Sequence, residues 1–390
     1  MPTGVDRVEL AYIQRLLLEP IPLYGLIRTS LGYVLLDHKG CAAFEERVVG
    51  NVSWGVPDRL SLLVRGLDEP QRVAEAELRR LALARCLPVS LGTMLKKHLP
   101  KGVSYLNVGH SNATERVLVT LKQRCNARIT ILIHDTIPLD FPELQRTGTV
   151  EKFRQFILRT LRLSDQLIAN SATTEKDIRR HAGPSQVPPI TVAHLGIDAP
   201  KPAQPVWPAG FDRTRPYYMI VGTIEPRKGH ALLLDVWRNL ASSLSVDAMP
   251  QLLICGGRGW ENKGVFAELD HLGPLQRHVY EMPGLSDGQI AALLLRSKGL
   301  LFPSKAEGFG LPPVEAHSLG VPVISTPLPS VREILGDAIT YLPIGDPYHW
   351  KSYILQELGA APPPNSAEKK QNLFSPPDWR MHFAKVLPLI

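Results

Sequence analysis

The chain has 390 residues, of which 44% are hydrophobic and 21% are charged, and this is the composition of an ordinary globular protein. The length favours two domains, and no run of about 18 apolar residues predicts a membrane-spanning helix. The formal net charge of +7 would suit an anionic membrane or a phosphorylated small molecule, or it reflects only a solvated basic surface. Because we find no nucleic-acid-binding motif, we do not expect nucleic acid as a partner.

The cysteines and the N-terminus indicate a cytoplasmic protein. The cysteines are scattered, without the paired spacing of a zinc site or a disulfide framework; they are Cys41, Cys86, Cys125 and Cys255. The opening residues MPTGVDRVEL contain an early acid and lack the apolar core of a signal peptide. We therefore expect reduced thiols, no metal site and a cytoplasmic location.

The N-terminal half, residues 1–200, is expected to form a domain in which strands alternate with helices. The predicted strands are Val103–Val108, Ile129–Ile133, Gln166–Ala169 and Ile190–Ala193. Ahead of them, residues 74–99 combine leucine-rich faces with arginines and lysines, a pattern that a membrane-surface helix would show. One or two ordinary surface helices explain the same pattern slightly better.

A clearer alternation follows the proline-rich segment KPAQPVW, residues 201–207, which we interpret as a linker. The predicted strands of the C-terminal domain, residues 208–364, are Tyr217–Val221, Gln251–Cys255, Val279–Met282, Leu300–Phe302 and Val321–Ser325. Short apolar strands that lead through glycine-bearing loops into helices indicate a parallel sheet, which binds ligands at the carboxyl ends of its strands. A tail helix at Trp379–Leu387, within residues 365–390, is expected to pack back toward the N-terminal domain.

The most informative stretch is AEGFGLPPVEA, residues 306–316, which follows one of these strands. Gly308 and Gly310 would let the backbone approach a ligand, and Pro312 or Pro313 would start a helix. The amides at the N-terminus of that helix could hold phosphate oxygens.

Two acids belong to the same stretch. Glu315, expected in the first turn of the helix, is a suitable acceptor for a ribose diol, and Glu307 could accept from the hydroxyls of a second polar group. On spacing alone, a capping acid and a helix-stabilising glutamate explain the pair as well.

A second constellation is GTIEPRKGH, residues 222–230, at the end of another strand of the same domain. Arg227 and Lys228 could both reach a diphosphate. Solvated cations in a helix-entry loop are the alternative, but two cations and two acids at one sheet edge make a binding site the better interpretation.

Together these motifs resemble the retaining glycosyltransferases of family 4, which have the GT-B fold and include bacterial glycosyl transferases of group 1. AEGFGLPPVEA resembles the two-glutamate element of that family, and GTIEPRKGH resembles its phosphate loop. IHDTIPLDFPE resembles its His-Asp loop, and TGVDRVE resembles its first glycine loop. The resemblance covers most of the chain, from about Thr3 to Leu342. It implies two Rossmann-like α/β domains whose parallel sheets face a central cleft.

The resemblance also implies roles for individual residues. The catalytic group would be His134, Glu307, Arg227 and Lys228. The donor contacts would be Gly4, Gly222, Arg227, Lys228, Leu285, Glu307, Gly308, Phe309, Gly310 and Glu315. His110, Asn112 and Asp135 would touch the acceptor. His134 is placed near the reacting centre, although a core histidine at a strand end is the alternative, and Leu285 is assigned to the loop that contacts the base.

The expected reaction is transfer of a hexose from a nucleoside-diphosphate sugar, with no cofactor and no metal, because fixed cations would stabilise the leaving diphosphate. The chain contains no Asp-x-Asp motif. HDTIP and GTIEPRK favour mannosyltransferase-like members and hence GDP-mannose as donor. The acceptor would be a saccharide or a polyprenyl-linked saccharide in surface polysaccharide synthesis, with possible contact to the inner face of the cell membrane.

Other functions are compatible with the same scaffold. A GT-B epimerase or phosphorylase would share the fold, but no pyridoxal-lysine context is evident. A non-catalytic sugar-nucleotide-binding protein would be expected to lack one of the four charged site residues. Family members also begin with an apolar strand before the first glycine loop, and here TGVDRVE starts at Thr3. A late annotated start explains this better than true absence, which would leave a gap in the N-terminal sheet.

Overall fold

Short apolar runs that end at glycine or a polar loop form the strands of this α/β protein, as the computed structural model shows for residues 3–198, 200–359 and 376–390. The strands are β1 Gly25–Thr29, β2 Gly32–Leu36, β3 Ala84–Cys86, β4 Ser104–Asn107, β5 Arg128–Ile133, β6 Gln166–Ala169, β7 Ile190–Val192, β8 Tyr217–Val221, β9 Gln251–Cys255, β10 Val279–Glu281, β11 Gly299–Phe302, β12 Val323–Ser325 and β13 Thr340–Tyr341.

Helices connect most of these strands. They are α1 Gly4–Leu17, α2 His38–Val48, α3 Arg59–Leu63, α4 Glu69–Leu81, α5 Leu91–His98, α6 Glu115–Cys125, α7 Ile137–Asp140, α8 Thr149–Leu163, α9 Ala172–Ala182, α10 His230–Ala241, α11 Lys263–Asp270, α12 Asp287–Leu294, α13 Leu311–Ser318, α14 Pro329–Leu335, α15 Pro347–Gly359 and α16 Trp379–Val386. Within the described ranges, none of them is both long and apolar enough to cross a membrane.

The C-terminal sheet is parallel, with the strand order β10-β9-β8-β11-β12-β13, and every strand predicted in this half is present. Helices pack on both faces, where Trp237 and Trp350 lie in one core and Leu293 and Leu300 in the other. Because β8 and β11 are neighbours in this order, the loops that follow them meet at one edge of the sheet.

The N-terminal half differs from the prediction of one alternating domain. Among the described residues its parallel sheet has four strands, β4-β5-β6-β7, and residues 25–86 contribute a separate antiparallel sheet, β1-β2-β3. The pairing of Thr29 with Gly32 leaves only Ser30 and Leu31 between β1 and β2. Parallel strands need a crossover of about a dozen residues, so a two-residue connection can only join antiparallel strands.

The basic segment at residues 74–99 is not one helix. It contains the end of α4, the short strand β3 and the helix α5. Arg79 is 5% exposed at its side chain and pairs with Asp58 and Glu75, and Arg80 pairs with Glu77. Since these arginines already have carboxylate partners, they are poorly placed to bind lipid head groups.

The two halves meet around helices α1 and α16. The Tyr12 hydroxyl lies 2.7 Å from His382 Nε2, and Phe383 packs with Tyr12 in a core that also includes residues of both parallel sheets. The backbone N–H of Ile197 donates to the Pro377 carbonyl at 2.9 Å. The tail helix therefore contacts the N-terminal half.

Replacement of Phe383 by alanine is expected to lower the free energy of unfolding by about 3–5 kcal/mol, because it empties a buried aromatic site. Urea unfolding followed by far-UV circular dichroism measures the change. Met381→Ala, in the same helix but at a residue 50% exposed, is the control. Equal effects of the two substitutions would contradict this description of the junction.

Candidate active site

The loops after β8 and β11 bring a carboxylate and two cations together. Glu307 Oε1 accepts from Lys228 Nζ at 2.7 Å, and Glu307 Oε2 accepts from Arg227 Nη1 at 2.7 Å. Arg227 Nη2 donates to Glu225 at 2.7 Å, and Arg227 Nη1 also donates to the Ala306 carbonyl at 2.8 Å. We call Glu225, Arg227, Lys228 and Glu307 the charge cluster.

The charge cluster is largely buried, with side-chain exposures of 20% at Arg227, 12% at Lys228 and 9% at Glu307, and its members determine one another's ionisation. Burial pushes the pKa of Glu307 upward, but the charges of Arg227 and Lys228 outweigh burial and lower that pKa from 4.5 to about 2. Burial lowers the pKa of Lys228, an effect that the Glu307 carboxylate opposes. At neutral pH Glu307 is therefore a carboxylate, which can accept hydrogen bonds but has no proton to donate.

Two glycines shape the loop that leads into α13. A side chain at Gly308 would place its Cβ 2.0 Å from the His134 carbonyl oxygen, so only glycine allows this approach between the two halves. Gly310 has φ +89° and stands immediately before the helix, a conformation that glycine adopts without strain. The helix begins at Leu311 with prolines at its second and third positions. Because proline has no N–H, the helix-end amides that can donate to a ligand here are those of Leu311 and Val314.

Glu315 lies at the fifth position of α13, so the prediction that it lies in the first turn is wrong. Pro312 or Pro313 was expected to start the helix, but the helix starts at Leu311, directly after Gly310 in the αL conformation. The Glu315 carboxylate forms an ion pair with Arg7 of α1. Burial raises the pKa of Glu315, and the charge of Arg7 opposes that shift.

His134 and Asp135 come from the N-terminal half and lie against Gly308 in the loop between β11 and α13. We call this loop, residues 303–310, the donor loop after its predicted role. His134 Nε2 is 2.7 Å from the Val108 carbonyl oxygen; because a carbonyl only accepts, Nε2 carries the proton and Nδ1 is the acceptor nitrogen of the neutral ring. Burial lowers the pKa of His134. Burial raises the pKa of Asp135, and Arg227 is close enough to oppose that shift.

The structure does not bring the two other predicted acceptor residues to the charge cluster. His110 Nε2 lies 2.9 Å from the Leu132 carbonyl oxygen, and the ring packs on Phe156. Asn112 is 8% exposed and donates to the Leu26 carbonyl at 3.0 Å. Both side chains tie parts of the N-terminal half together, and the His110 ring also lies 5.2 Å from the ring of His134. The role of His110 and Asn112 in acceptor binding stays a prediction.

The other predicted donor residues are backbone or core positions. Gly222 has φ +136° and packs beside the Lys228 side chain. The side chains of Leu285 and Phe309 are buried in hydrophobic cores, so only their backbone could face a ligand. Gly4 was expected in a loop, but it is the first residue of α1, where a Cβ would lie 3.2 Å from Leu311 Cδ1.

Three residues that the sequence did not single out hold the donor loop and α14 against the N-terminal half. Ser171 Oγ donates to the Gly308 carbonyl at 3.0 Å. Glu333 accepts from the backbone N–H of Ala172 at 2.7 Å and from that of Thr173 at 3.1 Å, which caps α9 from the opposite domain. Glu333 also lies 2.7 Å from His194 Nε2. Of these three, Ser171 could be recognised in the sequence as a residue that caps a helix. A helix cap does not reveal that its side chain contacts Gly308 of the other half.

Within the described residues, no group of three or more histidine, cysteine, aspartate or glutamate side chains is arranged to hold a metal ion. The site consists of the amides at the start of α13, the paired cations and the acids at this edge of the sheet. Such an edge can bind phosphate oxygens and sugar hydroxyls.

Residues 206–355, which contain the charge cluster and α13, match the family model described as glycosyl transferases group 1. They form a glycosyl transferases group 1 domain. The match runs from the segment before β8 into α15, so every charged residue that the sequence assigned to the C-terminal site lies inside this group 1 domain.

Relatives of the chain include mannosyltransferases. It is 31% identical over 230 residues to the serotype-specific mannosyltransferase WbdA of Escherichia coli, a match over 54% of this chain and 27% of WbdA. It is 32% identical over 142 residues to the O-antigen chain mannosyltransferase B of Escherichia coli, over 36% of each chain. The matches thus span about a quarter to a third of the length of these relatives.

The fold is that of GT-B glycosyltransferases, as the sequence predicted. A crystal structure of HepE from Anabaena in complex with UDP-glucose superposes with a TM-score of 0.53 over 72% of this chain and 73% of HepE. The sequence identity is 16%, so this likeness shows the fold alone.

Glu307→Gln is expected to lower the free energy of unfolding at pH 7 by about 3–5 kcal/mol, because it leaves two buried cations without a full counter-charge. The Glu307 carboxylate stabilises the folded state fully at pH values above the pKa that this group has in the unfolded chain. This stabilisation is lost as the pH falls through the pKa of Glu307 in the folded protein. The difference between wild type and variant should therefore be constant from pH 8 to 5 and shrink between pH 4.5 and about 2.

Urea unfolding at each pH measures this difference. The control is Glu151→Gln, since Glu151 is 66% exposed at its side chain in a surface pair with Arg154, and such pairs contribute little. A difference for Glu307→Gln that does not depend on pH would contradict the assigned ionisation.

Proposed function

We propose that this protein is a retaining glycosyltransferase that moves a hexose from a nucleoside-diphosphate sugar to a saccharide. The observation that carries the proposal is the charge cluster beside the N-terminus of α13, with Glu315 one turn further along the helix. This arrangement supplies cations for a diphosphate, amides for its oxygens and two acids for hydroxyls on either side of it.

Arg227 and Lys228 can bind the diphosphate while they keep some of their hydrogen bonds to Glu307. A guanidinium has five N–H donors and an ammonium has three, and the contacts within the charge cluster use only some of them. The amides at the N-terminus of α13 add the positive end of a helix dipole. Fixed donors of this kind stabilise charge that develops on a leaving group.

In the proposed reaction, the bond between the anomeric carbon and the diphosphate oxygen breaks, and its electron pair stays on the diphosphate. The acceptor oxygen forms its new bond on the same face of the sugar, and its proton passes to the leaving phosphate. Glu307 would accept from donor-sugar hydroxyls, and Nδ1 of His134 would accept from another hydroxyl. Asp135, beside Arg227, is the proposed acceptor contact. Contact between the two halves excludes water that would hydrolyse the donor.

The proposed donor is GDP-mannose, and the proposed acceptor is a saccharide or polyprenyl-linked saccharide of a surface polysaccharide. The mannosyltransferase relatives support the sugar, and the group 1 domain supports the nucleotide site. Because the structure of HepE contains UDP-glucose, UDP is the nucleotide to test beside GDP.

Titration calorimetry with GDP, UDP and ADP tests the nucleotide, and conversion of GDP-mannose tests the reaction. We expect GDP to bind most tightly. Lys228→Met should lower turnover by roughly 100- to 1,000-fold, the usual effect of removing one hydrogen-bond donor that stabilises a developing negative charge. Lys263→Ala, at an exposed lysine of the same domain, should keep wild-type turnover.

Binding without turnover by the wild-type protein would favour the non-catalytic sugar-nucleotide-binding alternative. Release of an epimerised nucleotide sugar would favour the epimerase, and phosphate-dependent cleavage of a glycoside would favour the phosphorylase. Wild-type turnover by Lys228→Met would remove Lys228 from the site.

We propose further that the N-terminal half contacts an anionic membrane, through the segment from Val48 to Leu63 rather than through residues 74–99. Apolar side chains of this segment are exposed, with Val56, Leu62 and Leu63 at 72%, 58% and 78%. Arg59, the first residue of α3, and Arg65, just after its end, are exposed and complement an anionic lipid surface.

Sedimentation with phosphatidylcholine vesicles, with and without about a quarter of phosphatidylglycerol, tests this contact. We expect the wild-type protein to sediment with the anionic vesicles, and the double variant Leu62→Ser, Leu63→Ser to lose most of that binding. Val246→Ser, Ile344→Ser, at exposed residues of the C-terminal half, is the matched control. Equal binding by both double variants, or no binding by the wild type, would overturn the proposal.

A further inference from the structure

Arg7 is a third cation beside the candidate site, and it comes from the N-terminal half. Its guanidinium pairs with Glu315, and its Nε lies 3.7 Å from Asp287 Oδ2. Both partners belong to the C-terminal domain. The Arg7 side chain is 28% exposed, so it lies at the margin of the site and has room to change its partner.

The charges of the site show why a third cation matters. Arg227 and Lys228 are opposed by Glu225 and Glu307, so the charge cluster sums to zero before any ligand binds. A diphosphate brings more than one negative charge into this site, and the amides at the start of α13 offer only partial charges. Without another cation, much of the diphosphate charge would be uncompensated, which is costly in a buried site.

The position of Arg7 fits this requirement. Gly4 starts α1 beside Leu311, which starts α13, so the positive ends of two helices lie side by side. Arg7 is one turn after Gly4 and therefore lies on the same face of α1. Its present partner, Glu315, is the acid proposed to bind the ribose, the group adjacent to the diphosphate.

We propose that Arg7 exchanges partners when the nucleotide binds, so that the ribose diol takes over the Glu315 carboxylate and the Arg7 guanidinium turns to the diphosphate. This inference rests on the proposed function and adds a donor-binding and catalytic residue to it. The N-terminal domain then supplies a cation to the leaving group only while the two halves are together, which couples closure to bond breaking.

Calorimetric titration with guanosine and GDP, and in parallel with uridine and UDP, tests the exchange. Arg7→Gln should weaken GDP binding by about 10- to 100-fold, the range expected for loss of a charged hydrogen bond. It should leave guanosine binding unchanged or tighter, because Glu315 is freed for the ribose. Arg7→Lys keeps the charge and should fall between wild type and Arg7→Gln for GDP.

Two matched variants separate this effect from a structural one. Glu315→Gln removes the ribose acceptor and should weaken guanosine and GDP by the same factor. Arg15→Gln, in the same helix but in a surface pair with Glu19, should change neither. Thermal unfolding of each variant, followed by circular dichroism, identifies any that fail to fold.

The ratio of GDP affinity to guanosine affinity decides the result. If Arg7 only ties the two halves together, Arg7→Gln changes both affinities alike and the ratio stays at its wild-type value, which would overturn the partner exchange while the proposed function stands. If the wild-type protein binds neither GDP nor UDP, the proposed function fails and the exchange fails with it.

Discussion

The buried ion pairs of Glu307 with Arg227 and Lys228 are the interaction on which the rest of the site depends. Buried charges persist only when they are paired and hydrogen-bonded, and here Glu307 and Glu225 together neutralise the two cations. The pairing holds the loop after β8 against the loop after β11. It also leaves N–H groups on both cations that the proposed diphosphate would use.

The donor loop is part of the junction between the two halves as well as part of the site. Ser171 donates to the Gly308 carbonyl, the His134 carbonyl lies against Gly308, and Glu333 caps α9. Because a Cβ at Gly308 would collide with the opposite half, the close approach needs glycine at this position. A ligand that moves this loop must therefore also affect the contact between the halves.

Much of the C-terminal domain could be predicted from the sequence because its signals are local. Apolar runs bounded by glycine marked Tyr217–Val221 and Gln251–Cys255 at their observed limits, and the order of motifs identified the GT-B fold. The two acids and two cations could be placed at one sheet edge because parallel strands present their carboxyl ends together.

The parts of the fold and of the site that could not be predicted depend on contacts between distant parts of the chain. Arg7 and Glu315 are 308 positions apart, and Glu333 is 161 positions from Ala172, so no local pattern links them. The antiparallel sheet at residues 25–86 was missed because its short strands lack glycine-bearing loops into helices. His110 and Asn112 were assigned by their place at a strand end, which does not reveal the hydrogen bonds of their side chains to the Leu132 and Leu26 carbonyls.

A crystal structure of the protein soaked with GDP tests the central claim most directly. The account predicts diphosphate oxygens within hydrogen-bond distance of Arg227, Lys228 and the first amides of α13, and ribose hydroxyls on the Glu315 carboxylate. A nucleotide bound elsewhere, with the contacts within the charge cluster unchanged and this edge empty, would contradict it.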